Sequence, residues 1–444
     1  MKQILFFLLV SILLFSPFVC AAAPETLQVG VASVDVTGTP GPHLGGYLLR
    51  PQPSTHVRTR LFARAVYLEN KPETLIWIVV DSLGLPQNIN AKIKTVLADE
   101  FGIEPWRIVL SATHTHSAPD LLDLGNLGWY AGDYAESVLI PNLLKIARDA
   151  KASAEACSMV SATGEIDLAI HRTSGKAYVE KRVPAVGFKR ADGSFKAVML
   201  GYTMHPVCYC TEAIASEWPG AAADAVRKLF ASGTEPFVFQ GACGNINPPK
   251  KDDVPDEEMQ TWGTNIVDSV AQQLKSAEPQ KPYFAVRTRH VAMLLDYPDA
   301  KGIQEFAASQ RKGLTAYPLG LDGCDNWERW AMQYCNDGGP DFRDAEIAAV
   351  VLGDRVFVTG PFETFAHMNQ ELAKRTTIDC FAVGYTNGCY GYLAPDAAYE
   401  VGSYELGAHL WYISFRFKRG EFERLADSSV QLIQQALEAA QRRE

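Results

Sequence analysis

Residues 74–116, "TLIWIVVDSLGLPQNINAKIKTVLADEFGIEPWRIVLSATHTH", decide the fold. Residues 74–81 are a continuous apolar, β-branched run, the pattern of a strand buried on both faces. Ile89, Ile93, Val96, Leu97 and Phe101 then recur at helical spacing, and Gly102 supplies a C-terminal stop. Residues 107–113, "RIVLSAT", form a second strand. Strand, helix and strand in about forty residues make a βαβ unit, whose two strands run parallel. His114 and His116 therefore fall just beyond the carboxyl end of a parallel strand, where open α/β sheets bind ligands. Asp81 ends the neighbouring strand on the same edge. If the chain stays extended through His116, the i, i+2 spacing sets both imidazoles on one side. A bare HxH is as often a hydrogen-bonded loop as a site, so the rest of the chain has to decide.

Three more strand ends carry chemistry. Residues 197–207, "AVMLGYTMHPV", are a strand ending at His205, and residues 237–249, "FVFQGACGNINPP", are a strand running into a glycine-rich turn. Residues 345–364, "AEIAAVVLGDRVFVTGPFET", read as a hairpin turning at Gly353-Asp354 and ending at Glu363. Alone, each is ordinary: a satisfied core histidine, a tight turn, a carboxylate at a helix start. Together they give two histidines and a glutamate at strand ends, a common ligand set for catalytic zinc with an open position.

Composition narrows the setting. Residues 1–20 join Lys2 to an unbroken apolar stretch, followed by "AAAPET", the form of a secretory signal cut after Ala23. That makes residues 24–444 an exported domain, periplasmic or secreted. The apolar stretch is too short to favour a membrane span, and no later segment comes near the required length. Eight cysteines follow the cut, an even count that permits disulfides in an oxidising compartment, with Cys324–Cys335 the easiest local loop. None of the spacings is CxxC, which argues against a cysteine zinc site. The net charge of −10 argues against nucleic acid or an anionic membrane surface as partner. Residues 420–443 read as an amphipathic helix packed through Phe422, Leu425, Ile433 and Leu437.

The motifs "VGVASVDVTG" (29–38), "LFARAVYL" (61–68), "THTHSAP" (113–119), "HRT" (171–173), "TMHPV" (203–207), "GACGNINP" (241–248), "GPFET" (360–364) and "NGCYGYLAPDAAYEVGSYE" (387–405) occur in the order seen in neutral, non-lysosomal ceramidases. The chain resembles that family from about Val29 to its C-terminus. The resemblance implies an α/β fold of mixed β-sheets flanked by helices, like the ceramidase catalytic domain without its C-terminal immunoglobulin-like domain. It implies a zinc hydrolase acting on the amide of an N-acylsphingosine, so a small-molecule or lipid substrate. By the same resemblance His114, His205, Glu363 and Tyr392 are the zinc ligands, Tyr392 standing five residues after Asn387. His116 is a catalytic histidine beside the metal, Arg172 a substrate-binding group, and Tyr404, twelve residues after Tyr392 and before Glu405, a second active-site tyrosine.

One position departs from the family. Its glycine-rich turn runs Gly-Asp-Val-Ser-Pro with the Ser in the active site, whereas here the turn is "GNINP", with Asn247 at the Ser position. Asn cannot be a nucleophile, which excludes an acyl-serine there; Asn247 can instead donate to a carbonyl or oxyanion. Three functions follow: a ceramidase-like amidase, a zinc hydrolase of another amide or ester such as an acylated carbohydrate, and a non-catalytic binding protein, which the intact ligand set argues against. His43, His56 and His171 are weaker cleft candidates, and Trp327 and Trp330 are either an apolar lip or loop packing.

Overall fold

The computed structural model describes residues 25–47, 50–172, 178–231 and 233–441. The signal-like residues 1–23 lie outside that set. The 74–116 stretch folds as its pattern requires. Strand Glu73–Val80 leads through helix Gln87–Phe101 to strand Ile108–Ala112, and the two strands are parallel, Ile76 opposite Ile108 and Val80 opposite Ala112. Trp77 and Val79 enter one core layer while Ile76, Ile78 and Val80 enter another, and all five are fully buried. A strand covered on both faces has no polar side, so its sequence shows no alternation.

This unit forms one edge of a large sheet of eight strands: β1 (Leu27–Asp35), β2 (Phe62–Asn70), β3 (Glu73–Val80), β4 (Ile108–Ala112), β5 (Glu155–Glu165), β6 (Arg182–Lys189), β7 (Phe195–Tyr202) and β8 (Glu235–Gln240), in the order β8-β7-β6-β5-β1-β2-β3-β4. The sheet is antiparallel except at its two edges, where β3 and β4 and, opposite them, β7 and β8 run parallel. A smaller sheet follows, of β9 (Phe284–Leu294), β10 (Phe342–Leu352), β11 (Arg355–Thr359) and β12 (Asp379–Val383) in sequence order. β10 and β11 are the hairpin expected around Gly353-Asp354, and β11 pairs parallel with β12.

The inner faces of the two sheets pack on each other. Trp77 of β3 meets Phe239 of β8 at 4.3 Å and Phe357 of β11 at 6.0 Å between ring centroids. Helices α1 (Gln87–Phe101), α2 (Ile140–Ala152), α3 (Glu217–Phe230) and α4 (Asp256–Ser276) cover the outer face of the large sheet. α5 (Ala300–Leu314) and α6 (Pro318–Asn336) form a hairpin, while α7 (His367–Arg375) and α8 (Glu421–Gln441) cover the small sheet. α8 buries Phe422, Leu425 and Ile433 and packs Leu437 against the same core, as its pattern predicts. Helix, sheet, sheet, helix is the α/β architecture expected.

Two expectations are corrected. Cys324 and Cys335 sit on the single helix α6, where eleven residues rise about 16 Å, too far for a disulfide; all eight cysteines of the described chain are free thiols. Trp327 is buried in the small-sheet core and donates its Nε1–H to the Ser414 carbonyl, and Trp330 packs on Tyr334 and Phe415. Both are packing, not a lip. No helix of the described residues is long and apolar enough to cross a membrane.

Candidate metal centre and active-site cavity

The strand ends singled out above open on one side, and short backbone bridges knit their loops together. Glu363 pairs with Tyr392 in a two-residue parallel bridge, the Glu363 N–H donating to the Gly391 carbonyl at 2.9 Å. Asn247 pairs with Ile170, and the Arg172 N–H donates to the Asn245 carbonyl at 2.9 Å. The His205 N–H donates to the Ile246 carbonyl at 3.1 Å. Five chain segments are thereby brought to one place.

At the centre lie three buried imidazoles. His114 Nε2 is 3.1 Å from His205 Nε2 and 3.4 Å from His116 Nε2, and Glu363 Oε2 is 3.2 Å from His114 Nε2 and 3.6 Å from His205 Nε2. The Leu83 carbonyl lies 2.6 Å from His114 Nδ1 and can only accept, so Nδ1 carries the proton and Nε2 turns a lone pair inward. His205 Nδ1 lies 3.1 Å from the Cys243 carbonyl, which can only accept, and 3.1 Å from Arg172 Nη2, which can only donate. Burial, with Arg172 beside it, holds His205 well below the usual imidazole range; burial, with His114, Arg50 and Arg172 near, does the same for His116. Neutral imidazoles with one carboxylate are an N/O donor set that fits zinc. His114, His116 and His205 meet the spacing a metal ion needs, their ligand atoms all within 4.8 Å of one another.

The imidazole pair does not arise from an extended chain. His114 has φ 64, a left-handed turn that brings His116 round to face it. Tyr385 (φ 52) and Asn387 (φ 58) are likewise left-handed beside the cluster, strain of the kind that gathers at functional sites. Gly46 (φ +95) closes over His116, where a Cβ would sit 2.2 Å from Nδ1.

Beside the cluster is a cavity of about 570 Å³, whose lining includes the apolar Leu83, Leu124, Leu314 and Trp411, the polar Tyr47, Asn247, Lys251 and Asp252, and His116, His205, Glu363 and Tyr392 of the site. Arg172 reaches in from the side. Its Nε donates to Asn247 Oδ1 at 3.2 Å, and its Nη1 to Tyr392 OH at 3.3 Å and Glu405 Oε1 at 3.2 Å.

Residues 27–182 match the family model described as "Neutral/alkaline non-lysosomal ceramidase, N-terminal". The crystal structure of neutral ceramidase from Pseudomonas aeruginosa is similar over 93% of this chain and 75% of that one, with a TM-score of 0.69 at 16% identity. A ceramidase complexed with C2 is similar over 93% and 76%, with a TM-score of 0.70 at 15% identity. The fold is that of the neutral ceramidases. Among curated proteins none matches the sequence. The family match spans His114, His116 and Arg172; His205, Asn247, Glu363, Tyr392 and Tyr404 lie beyond it.

Within this ceramidase fold, all eight residues singled out from the sequence meet at or beside the cavity. Tyr404 is at its mouth, 59% exposed, its ring 6.3 Å from that of Tyr392. His43 instead stacks on Trp129, His56 is exposed, and His171 bonds Asn245, so none of the three lines the cavity. Asp81 is structural: it accepts from the Phe62 N–H and the Arg64 guanidinium.

Sequence reasoning missed four supports. The buried Arg50 guanidinium donates to the Gly45, His116 and Thr211 carbonyls, tying three loops under the site. Glu405 holds Arg172. Tyr385 stacks on His114 at 3.8 Å and donates to Glu363 Oε2 at 3.3 Å, and Tyr412 donates to Glu363 Oε1. Arg50, Tyr385 and Tyr412 belong to none of the motifs quoted above. Glu405 alone had a signal, its place next to Tyr404.

Proposed function

We propose that this protein is a zinc-dependent hydrolase, exported to the periplasm or beyond the cell, that cleaves the amide bond of an N-acyl substrate, a ceramide-like lipid first. The observation that carries this reading is the convergence of His114, His116, His205 and Glu363 on one buried point beside an amphipathic cavity. His114, His205, Glu363 and Tyr392 would hold the ion. When bound, zinc supplies Lewis acidity and a water activated near neutral pH. Export rests on the apolar leader and its small-residue cleavage site in residues 1–23.

The chain's own residues supply the rest. Arg172 can only donate, so its contact with Asn247 Oδ1 fixes that amide and turns its NH2 away from the guanidinium, free for a substrate carbonyl. Asn247 and Tyr404 are the donors for the oxygen that becomes anionic as water adds to the carbonyl carbon. Arg172, charged and held by Tyr392 and Glu405, adds positive potential at the same place. His116 passes the proton of the attacking water to the nitrogen of the breaking C–N bond, releasing amine and carboxylate. The apolar lining residues Leu83, Leu124, Leu314 and Trp411 suit an acyl chain.

Asn247 favours a second reading. Without the family's Ser, the same centre acts on a non-lipid amide or ester, such as an acylated carbohydrate. Turnover of ceramide, N-acyl and O-acyl sugars and acyl peptides by zinc-loaded protein separates the two. Ceramide hydrolysis lost in His205→Ala supports the amidase; turnover of a sugar ester alone selects the second reading. Undiminished turnover of the best substrate by verified metal-free protein would end both.

A further inference from the structure

Glu363 lies between two phenols that no motif marks. Its Oε2 faces the imidazoles and also accepts from Tyr385 at 3.3 Å. Its Oε1 accepts from Tyr412. We propose that Tyr412 is a positioning residue whose hydroxyl occupies Oε1, so that Glu363 presents a single oxygen to the histidine cluster and leaves one place there open to water and substrate. This rests on reading the cluster as a metal centre.

The physical need is specific. A carboxylate beside a divalent cation can engage it through one oxygen or both. Two-oxygen binding would fill the place a catalytic zinc site keeps free. A phenol on Oε1 opposes this, because swinging that oxygen to the ion breaks a charge-assisted hydrogen bond inside a buried site. Glu363 is almost wholly buried, so water cannot readily take over the lost bond.

Tyr412 is itself well anchored. Its ring crosses that of Tyr392 at 6.4 Å and 86° and lies over Gly391, where a Cβ would stand 2.8 Å from Cδ2. Gly391 (φ +83) thus does two things at once. Its carbonyl takes the Glu363 N–H, and its missing side chain makes room for the ring that holds the Glu363 carboxylate. Backbone and side chain of Glu363 are located by the same turn.

Tyr385 has a different task. It is fully buried, stacked on His114, and its hydroxyl also meets Cys243 Sγ at 3.1 Å, so truncating it disturbs the core. Tyr412 lines the cavity, and Tyr412→Phe removes one hydroxyl while keeping the ring.

The test is zinc affinity, measured by competition with a chromophoric chelator, together with X-ray absorption at the zinc edge. Wild type is expected to bind one zinc with a one-oxygen carboxylate. Tyr412→Phe is expected to bind about 10–100-fold more weakly, the usual cost of losing a partner that orients a ligand, with an added oxygen neighbour in the spectrum. Unfolding of the metal-free proteins shows whether the variant folds as wild type does. If it does not, the wild-type spectrum still decides: a two-oxygen carboxylate there overturns the proposal. Affinity of folded Tyr412→Phe within twofold of a tightly binding wild type overturns the role of Tyr412 alone. A wild type that binds no zinc overturns the metal reading with it.

Discussion

Asn247 is one side chain whose two ends answer to different masters. Arg172 holds its oxygen, which leaves its NH2 for the substrate. Asn247→Ala is therefore expected to lower kcat about 10²–10³-fold, the cost of one oxyanion donor, while zinc content stays at the wild-type level because Asn247 is no ligand. Asn247→Ser puts back the residue of the ceramidase motif and releases Arg172. It is expected to raise ceramide turnover relative to that of non-lipid acyl substrates, read as the ratio of kcat/KM values. An unchanged ratio would mean that position 247 does not select the substrate. Such a role was readable from sequence because a motif was broken at a numbered place. Tyr412, in "LWYISF" (410–415), stands in no pattern, and only the folded chain brings it to Glu363.

At the scale of elements, the loop carrying His116 is fastened to the start of α3. Glu217 opens that helix with φ 52, fully buried, and its two carboxylate oxygens accept from Ser117 Oγ and the Cys208 N–H, each at 2.8 Å. Burial pushes its carboxyl up to about 7 from an ordinary 4.5. The native state thus binds this proton more tightly than the unfolded chain does. The stabilisation is complete below about pH 4.5 and is lost as pH rises through about 7. Glu217→Gln cannot titrate, so wild type should lose up to about 3 kcal/mol relative to the variant between those limits. The measurement is thermal unfolding of both proteins from pH 4 to 8. Parallel curves would show that Glu217 does not titrate in this range. Strands and long helices were legible because their burial repeats along the chain, as in residues 74–81 and α8. The two-residue bridges of Glu363 with Tyr392 and of Asn247 with Ile170 were not, since pairs so short have no period to read.

Across the whole molecule, the candidate ligands come from loops of both sheets. His114 and His205 follow β4 and β7 of the large sheet; Glu363 and Tyr392 follow β11 and β12 of the small one. The architecture could be foreseen as mixed sheets with helices, yet the facing of two sheets depends on pairings such as Trp77 with Phe357, far apart in sequence. An ion held by all four ligands would join the sheets at the end where the aromatic core between them stops. A ligand that binds only the native state stabilises it by mass action, about 4 kcal/mol at a thousand times the dissociation constant. Zinc should therefore raise the Tm of metal-free wild type, and above the dissociation constant the stabilisation should grow with the logarithm of zinc concentration. In His205→Ala the centre loses one imidazole and the rise should largely vanish, although the fold persists through the same core. Scanning calorimetry with and without zinc, at a pH where the imidazoles are neutral, gives both numbers. A shift of equal size in wild type and His205→Ala would place the stabilising ion elsewhere on the molecule. No shift in either, at zinc concentrations that saturate the wild type, would mean that the unfolded chain binds zinc as tightly as the native protein does.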